Sequence, residues 1–238
     1  MEPYIASKRA RVVSDEQADP ALWCGSNVII VANELLDAFP VHRIVSRGGR
    51  LLEWGVAWDA GGFIPCLMEL SSPRLSDWVE EQGISLLDNQ TIEVNLDAAD
   101  WIAEVGSSLG NAIVVLIDYG DEAGELSAPY RMEGTLLCYY KHRAHDNPYL
   151  MPGEQDLTSH VNFTHIRQAA VRAGWHELWY GTQKKFLVES GVLEKLSTHT
   201  IADPFHPVVR RNRSIRQLLL SDGMSELFKV QILAKSES

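Results

Sequence analysis

At 238 residues, 45% hydrophobic and 22% charged, the chain is long enough to bury a core and too apolar for a disordered segment. Its formal charge of −11 repels phosphate backbones, which excludes nucleic acid as a ready partner and favours a basic protein or a cationic side chain. Three widely spaced cysteines exclude a disulfide framework, no apolar run is long enough for a membrane span, and the first residues lack the apolar centre of a secretory signal.

The first strong element is Asn27–Ala32, apolar on both faces as expected of an interior strand in a parallel, helix-covered sheet. It runs directly into Asn33, Glu34 and Asp37. Residues 43–68 follow, with Gly48-Gly49 and Gly61-Gly62 between β-rich runs, which predicts an antiparallel meander. Short helices are predicted over 76–82 and 97–105. "NAIVVLIDYG" is a second interior strand, ending in Asp118, Tyr119 and Gly120. "GTLLCYYKHRAHDNP" begins as a strand and becomes a polar loop. Phe163–Arg172 is a helix capped by Asn162 and closed by Gly174. A strand over 175–180, helical stretches over 183–196 and 214–220, and a final strand over 227–233 complete the chain. Strands alternating with helices, plus a few antiparallel pieces, make an α/β doubly wound fold with an inserted meander. It is one domain, with residues 1–40 and 91–238 as core and 41–90 as insertion.

Several motifs carry nothing. "GSSLG" matches the serine-hydrolase pattern, but a nucleophile elbow needs strand, turn and helix, and here a helix comes first. His142, His145 and Asp146 lack a supporting metal-ligand pattern, so no metal is expected. No glycine-rich nucleotide cradle of standard spacing occurs. The acidic strand ends carry more. In open α/β sheets ligands bind at the carboxyl edge of the strands, and Glu34 and Asp118 both follow interior strands. The bland alternative, carboxylates capping a helix, applies best to Asp37.

"ANELLDAFPVHR", "IDYG", "GTLLCYYKHRAHDNP", "GEQDLTSHVNFTHI", "TQKKFLVESGV" and "GMSELFKVQIL" follow one another as in the MidA-type methyltransferases, which the chain resembles over almost its whole length. That family includes the mitochondrial complex I assembly factor, a protein-arginine methyltransferase. The resemblance implies the C-terminal part of a class I (Rossmann-like) methyltransferase fold: a mostly parallel sheet with an antiparallel last strand, S-adenosyl-L-methionine as cofactor, and an arginine side chain of a complex I-type subunit as substrate. Residues 27–32 would be the family's fourth strand and 112–117 its fifth. The family's glycine-rich cofactor loop has no counterpart before Asn27, and Ser225 stands where the family usually has Gly. On this resemblance Glu34 grips the guanidinium, with Asp37 or Asp118 as second carboxylate. Glu2 and Asn33 would serve the cofactor, and Tyr119, His142, Asp156 and His160 the substrate wall. For His160 a hydrogen-bonded loop histidine is the competing expectation. Lacking its family neighbour, the 27–32 strand would be an apolar edge in need of a second copy or a partner chain. A bacterial cytoplasm is the expected location, with the mitochondrial matrix as alternative. A non-catalytic family remnant acting as a protein-binding module is the alternative function.

Overall fold

The structure is a computed structural model, and it describes residues 27–141, 143–220 and 224–236. Two of the candidate site residues, Glu2 and His142, lie outside the described residues. The chain forms a mixed α/β fold of three sheets, with one hydrophobic core under the central sheet and a second between the inserted sheet and its helix.

The central sheet is built on β1 (Val28–Asn33) and β6 (Ala112–Asp121). These pair in parallel from Val28↔Ala112 to Asn33↔Ile117. The last strand, β12 (Phe228–Lys235), runs antiparallel to β6, and β11 (His176–Thr182) runs antiparallel to β12. The two-residue β10 (Val161–Asn162) joins the far end of β6 in parallel. A Cβ on Gly120 would overlap the Val161 carbonyl oxygen, so only glycine lets β10 approach. A mostly apolar strand buried between neighbours needs no polar face, and β6 meets that condition with Val114 and Leu116 fully buried.

β1 departs from the expected interior position. Among the described residues it pairs with β6 alone. Its inner residues Val28, Ile30 and Ala32 pack on the core, while Ile29 and Val31 are 70% and 64% exposed.

Helices α2 (Leu96–Ser108) and α4 (Phe163–Arg172), separated in the chain by the one-turn α3 (Ala123–Leu126), cover one face of this sheet, burying Ile102, Val105, Phe163 and Ile166 against it. Each begins at an asparagine whose side chain accepts an N–H from the first turn, Asn95 from Ala98 and Asn162 from His165. α2 spans more than the 97–105 expected, because its cap lies at Asn95 and apolar Leu96 is already in the core.

The insertion is a second, antiparallel sheet: β2 (His42–Arg47), β3 (Arg50–Asp59) and β4 (Gly62–Met68) form the meander. A fourth strand, β5 (Thr91–Val94), pairs with β2, so the insertion's sheet extends past residue 90. Helix α1 (Pro73–Gln82), capped by Ser72, packs Leu75, Trp78 and Val79 against Ile44, Ile92 and Val94.

The stretch from Gly134 begins as a strand, as expected, in β7 (Leu137–Tyr140), but part of the segment expected to be a polar loop pairs back as β8 (Arg143–His145), with β9 (Asp156–Thr158) on the other side of β7. Beyond β11 come α5 (Gln183–Glu189), α6 (Pro207–Leu220) and α7 (Met224–Leu227). α6 begins seven residues before the expected 214, since its arginine-rich first half hides the apolar periodicity.

Candidate functional site

β1 ends at Asn33 beside Ile117, and its parallel neighbour β6 runs on through Asp118 to Asp121. Over them opens a cleft of about 860 Å³. Its wall includes Glu34 and Asp37 after β1, Tyr119 of β6, Tyr139 and Asp156 from the small sheet, and His160 before β10. Five of the residues singled out in the sequence thus share one cavity: Glu34, Asp37, Tyr119, Asp156 and His160.

The loop after β1 is held from four directions. Glu34 N–H extends the strand ladder to the Ile117 carbonyl at 2.9 Å. The Asp118 carboxylate accepts N–H groups of Leu35 at 3.2 Å and Leu36 at 2.9 Å, with a longer contact to Asp37 at 3.4 Å. Asn95 Nδ2 donates to the Leu36 carbonyl at 2.9 Å. Ser159 N–H donates to the Asp37 carbonyl at 3.0 Å, tying the small sheet to the same loop. Leu36 itself is buried in the core. Glu34 sits in the left-handed region at φ 49, unusual for a residue with a side chain and costing about 1 kcal/mol or more. Such strain persists only where surroundings fix it, and this loop is so fixed.

Asp118 is therefore not where direct substrate contact needs it. It is 1% exposed, does not line the cleft, and its oxygens are taken by backbone donors, the other one accepting from Tyr119 N–H at 2.9 Å. Burial, then the Asp37 charge, push its pKa up to about 7 against the lowering effect of those donors. Its carboxylate holds the loop backbone instead. Glu34 is exposed and lines the cleft, and Asp37, 4% exposed, lines it too, with its pKa raised by burial and by the Glu34 charge. Asn33, exposed at the strand end, donates its amide N–H to Glu34 Oε1 at 3.2 Å and does not line the cleft.

The opposite wall is aromatic and braced. Tyr119 stacks on Phe228 with ring centroids 3.9 Å apart. Tyr139 and Asp156 are cross-strand partners in β7 and β9. His160 is kept neutral, its pKa lowered to about 4 by burial and by Arg131. Its backbone N–H donates to Thr135 Oγ1 at 3.0 Å. Thr135 is clamped by buried Glu93, which accepts its N–H at 2.6 Å and its hydroxyl at 3.0 Å. Glu93 in turn pairs with Arg43 at 3.1 Å. Thr135, Tyr139 and Glu93 went unrecognised in the sequence. Alternation across "LLCYY" marks Leu137 and Tyr139 as sharing a face, but nothing local reveals that Glu93 is buried.

The donor set of the cleft, three carboxylates and two tyrosines, suits a cation: carboxylates pair with it and ring faces attract it.

Comparison with known proteins places this geometry in a family. The family model described as "Putative S-adenosyl-L-methionine-dependent methyltransferase" matches residues 9–181, and the chain belongs to that family. Two solved structures from Burkholderia thailandensis are similar. One, described as a "likely methyl transferase" and bound to S-adenosyl-homocysteine, is 32% identical with a TM-score of 0.78, over 87% of this chain and 53% of its own. The other, a native structure of an uncharacterized protein of the same superfamily, is 32% identical with a TM-score of 0.79, over 87% and 55%. The chain thus spans about half the length of these two proteins. None of the curated proteins matches. The fold is that of the Rossmann-like class I methyltransferases, and the family is S-adenosyl-L-methionine-dependent.

Proposed function

We propose that this member of the methyltransferase family supplies the acceptor side of a protein-arginine N-methyltransferase, with Glu34 and Asp37 holding the substrate guanidinium. The observation that carries this reading is the pair of carboxylates on one cleft wall, presented by a loop pinned through Asp118, Asn95 and Ser159. Asp37, partly desolvated beside Glu34, is under electrostatic stress that a bound cation relieves. A guanidinium is always charged and matches carboxylates in fork geometry.

When bound, S-adenosyl-L-methionine supplies an electrophilic methyl group on a sulfonium. Of this chain's residues, Asn33 is assigned to the cofactor's amino-acid end, and Glu2, outside the described residues, to its ribose. Glu34 and Asp37 fix one guanidinium nitrogen, where a small misplacement costs rate heavily. Asp37, its pKa raised by burial and by the Glu34 charge, is placed to accept the proton that this nitrogen loses. Tyr119 and Tyr139 wall the site against water, and Asp156 adds negative charge at the rim. His160, neutral at physiological pH, presents a polar ring without adding positive charge.

The resemblance to the MidA-type proteins extends the proposal to a subunit of a respiratory complex I-type assembly as substrate, and to a bacterial cytoplasm, or alternatively a mitochondrial matrix, as location. It also assigns the exposed β1 edge, with Ile29 and Val31, to a second copy or a partner chain.

Isothermal titration with S-adenosyl-L-methionine, followed by methyl transfer to arginine peptides, tests the reading. Micromolar binding and transfer that needs arginine would support it. Binding with transfer to lysine or to a small molecule would replace the acceptor. Absence of both binding and transfer would leave a protein-binding module.

A further inference from the structure

Behind the loop that carries Asp37 lies a second opening of about 530 Å³. Its character differs from the acidic cleft. Phe39, Val41, Trp54, Val56, Phe63 and Tyr149 contribute to its wall. The cation there, Arg43, is matched by Glu93 at 3.1 Å and by the Glu133 carbonyl at 3.0 Å, so the groove presents hydrocarbon with a neutralised base. Cleft and groove share Asp37, Ala38 and residues 157–159, and the Ser159–Asp37 hydrogen bond runs through that common wall.

The outer lip is apolar as well. In the β3–β4 hairpin Trp58 opposes Phe63 and Val56 opposes Pro65, so these four share one face. Val56 is 60% and Trp58 66% exposed, and the Trp58 and Phe63 rings meet edge to face with centroids 5.1 Å apart. A contiguous exposed apolar face beside a charged cleft marks an interaction site more often than chance surface.

We infer that this groove receives an apolar side chain of the substrate protein close in sequence to the methylated arginine. The inference rests on the guanidinium reading above. A ligand that spans both openings must carry a cation at one end and hydrocarbon at the other. A peptide with arginine beside a leucine or aromatic residue has that form, whereas a free guanidino compound leaves the groove unfilled. The pinned strap between the two openings then sets the spacing, and the hairpin face extends the contact outward.

The test uses the full chain with S-adenosyl-homocysteine present and short fluorescein-labelled peptides read by fluorescence polarisation. One peptide has a central arginine flanked by leucine and phenylalanine, a second has the same arginine flanked by serine, and a third keeps the apolar flanks with norleucine at the centre. The apolar-flanked arginine peptide should bind about tenfold tighter or more than the serine-flanked one. Val56→Asp and Phe63→Ser should each erase that preference while leaving the weaker, arginine-dependent binding in place. Equal affinity for the two arginine peptides overturns the groove and spares the guanidinium reading. Undiminished binding of the norleucine peptide, with the flank preference intact, keeps the groove and removes the guanidinium. A preference that survives both substitutions, or binding of none of the peptides, also overturns the groove.

Discussion

Two neighbouring strands end in acidic residues at the same edge of one sheet, and their carboxylates do opposite work. Within β6, three residues before its end, Asp118 is met by backbone N–H groups before any ligand could reach it, and it is sealed. After β1, Glu34 and Asp37 turn toward the cleft on a loop that Asp118 itself holds. A carboxylate at a strand end is a ligand only if the backbone leaves it unsatisfied, and the loop conformation, more than residue type, decides which one that is. The site is thus layered: the sealed Asp118 fixes the backbone from which the exposed Glu34 and the nearly buried Asp37 face the cleft.

The sharpest way to break that comparison is to neutralise the exposed acid. Glu34→Gln keeps size and loop, and should reduce methyl transfer to an arginine peptide by two to three orders of magnitude, about 3–4 kcal/mol of transition-state stabilisation. Its melting temperature should stay near that of the unaltered chain. Retained turnover would take Glu34 out of the mechanism. Asp118→Ala attacks the other layer. It leaves the N–H donors of Leu35, Leu36 and Tyr119 without their acceptor and should cost about 2–3 kcal/mol in urea unfolding. A neutral effect on stability would show that water or rearrangement satisfies those donors, and the layered picture would fail. Glu34→Gly gives a smaller effect of opposite sign. Glycine adopts φ 49 freely, so stability should hold or rise by up to about 1 kcal/mol while activity disappears. A clear loss of stability would mean that the Glu34 side chain is part of the scaffold.

Much of this was legible in the sequence because it depends on local pattern. The apolar runs that become β1 and β6, the double glycines of the meander and the Asn162 cap are all written in short stretches. So was the gathering of Glu34, Asp37 and Tyr119 at one edge, which follows once two strands are parallel neighbours. What did not show is non-local. Asp118 reads as a free acid until the loop of Leu35 and Leu36 is folded over it. Glu93 sits in a four-residue strand whose buried character comes from pairing with β2 and from Arg43, fifty residues away. The aromatic groove combines Phe39 and Trp54 with Tyr149, and no single stretch contains its pattern.

The smallest expected effect separates the two layers by pH. His160 has a pKa near 4 in the folded chain against an ordinary value near 6.5. Between those values the unfolded chain binds the extra proton, so this contribution to stability is complete above about 6.5 and is lost as pH falls toward 4. Asp118 runs the other way. Its folded pKa near 7 lies above the ordinary 3.8, so the folded chain holds the extra proton in that window and stability falls as pH rises from 4 to 7. Asp37, also raised, adds to the same trend. The destabilisation caused by His160→Gln should therefore shrink as pH is lowered from 7 to 5, whereas that caused by Asp118→Asn should grow, each by less than the roughly 1.4 kcal/mol per pH unit of one full proton. Urea midpoints of the three proteins at pH 5, 6 and 7 provide the measurement. Parallel curves would mean that neither group titrates differently in the folded and the unfolded chain, and the desolvated surroundings of His160 and Asp118 would be lost from the picture.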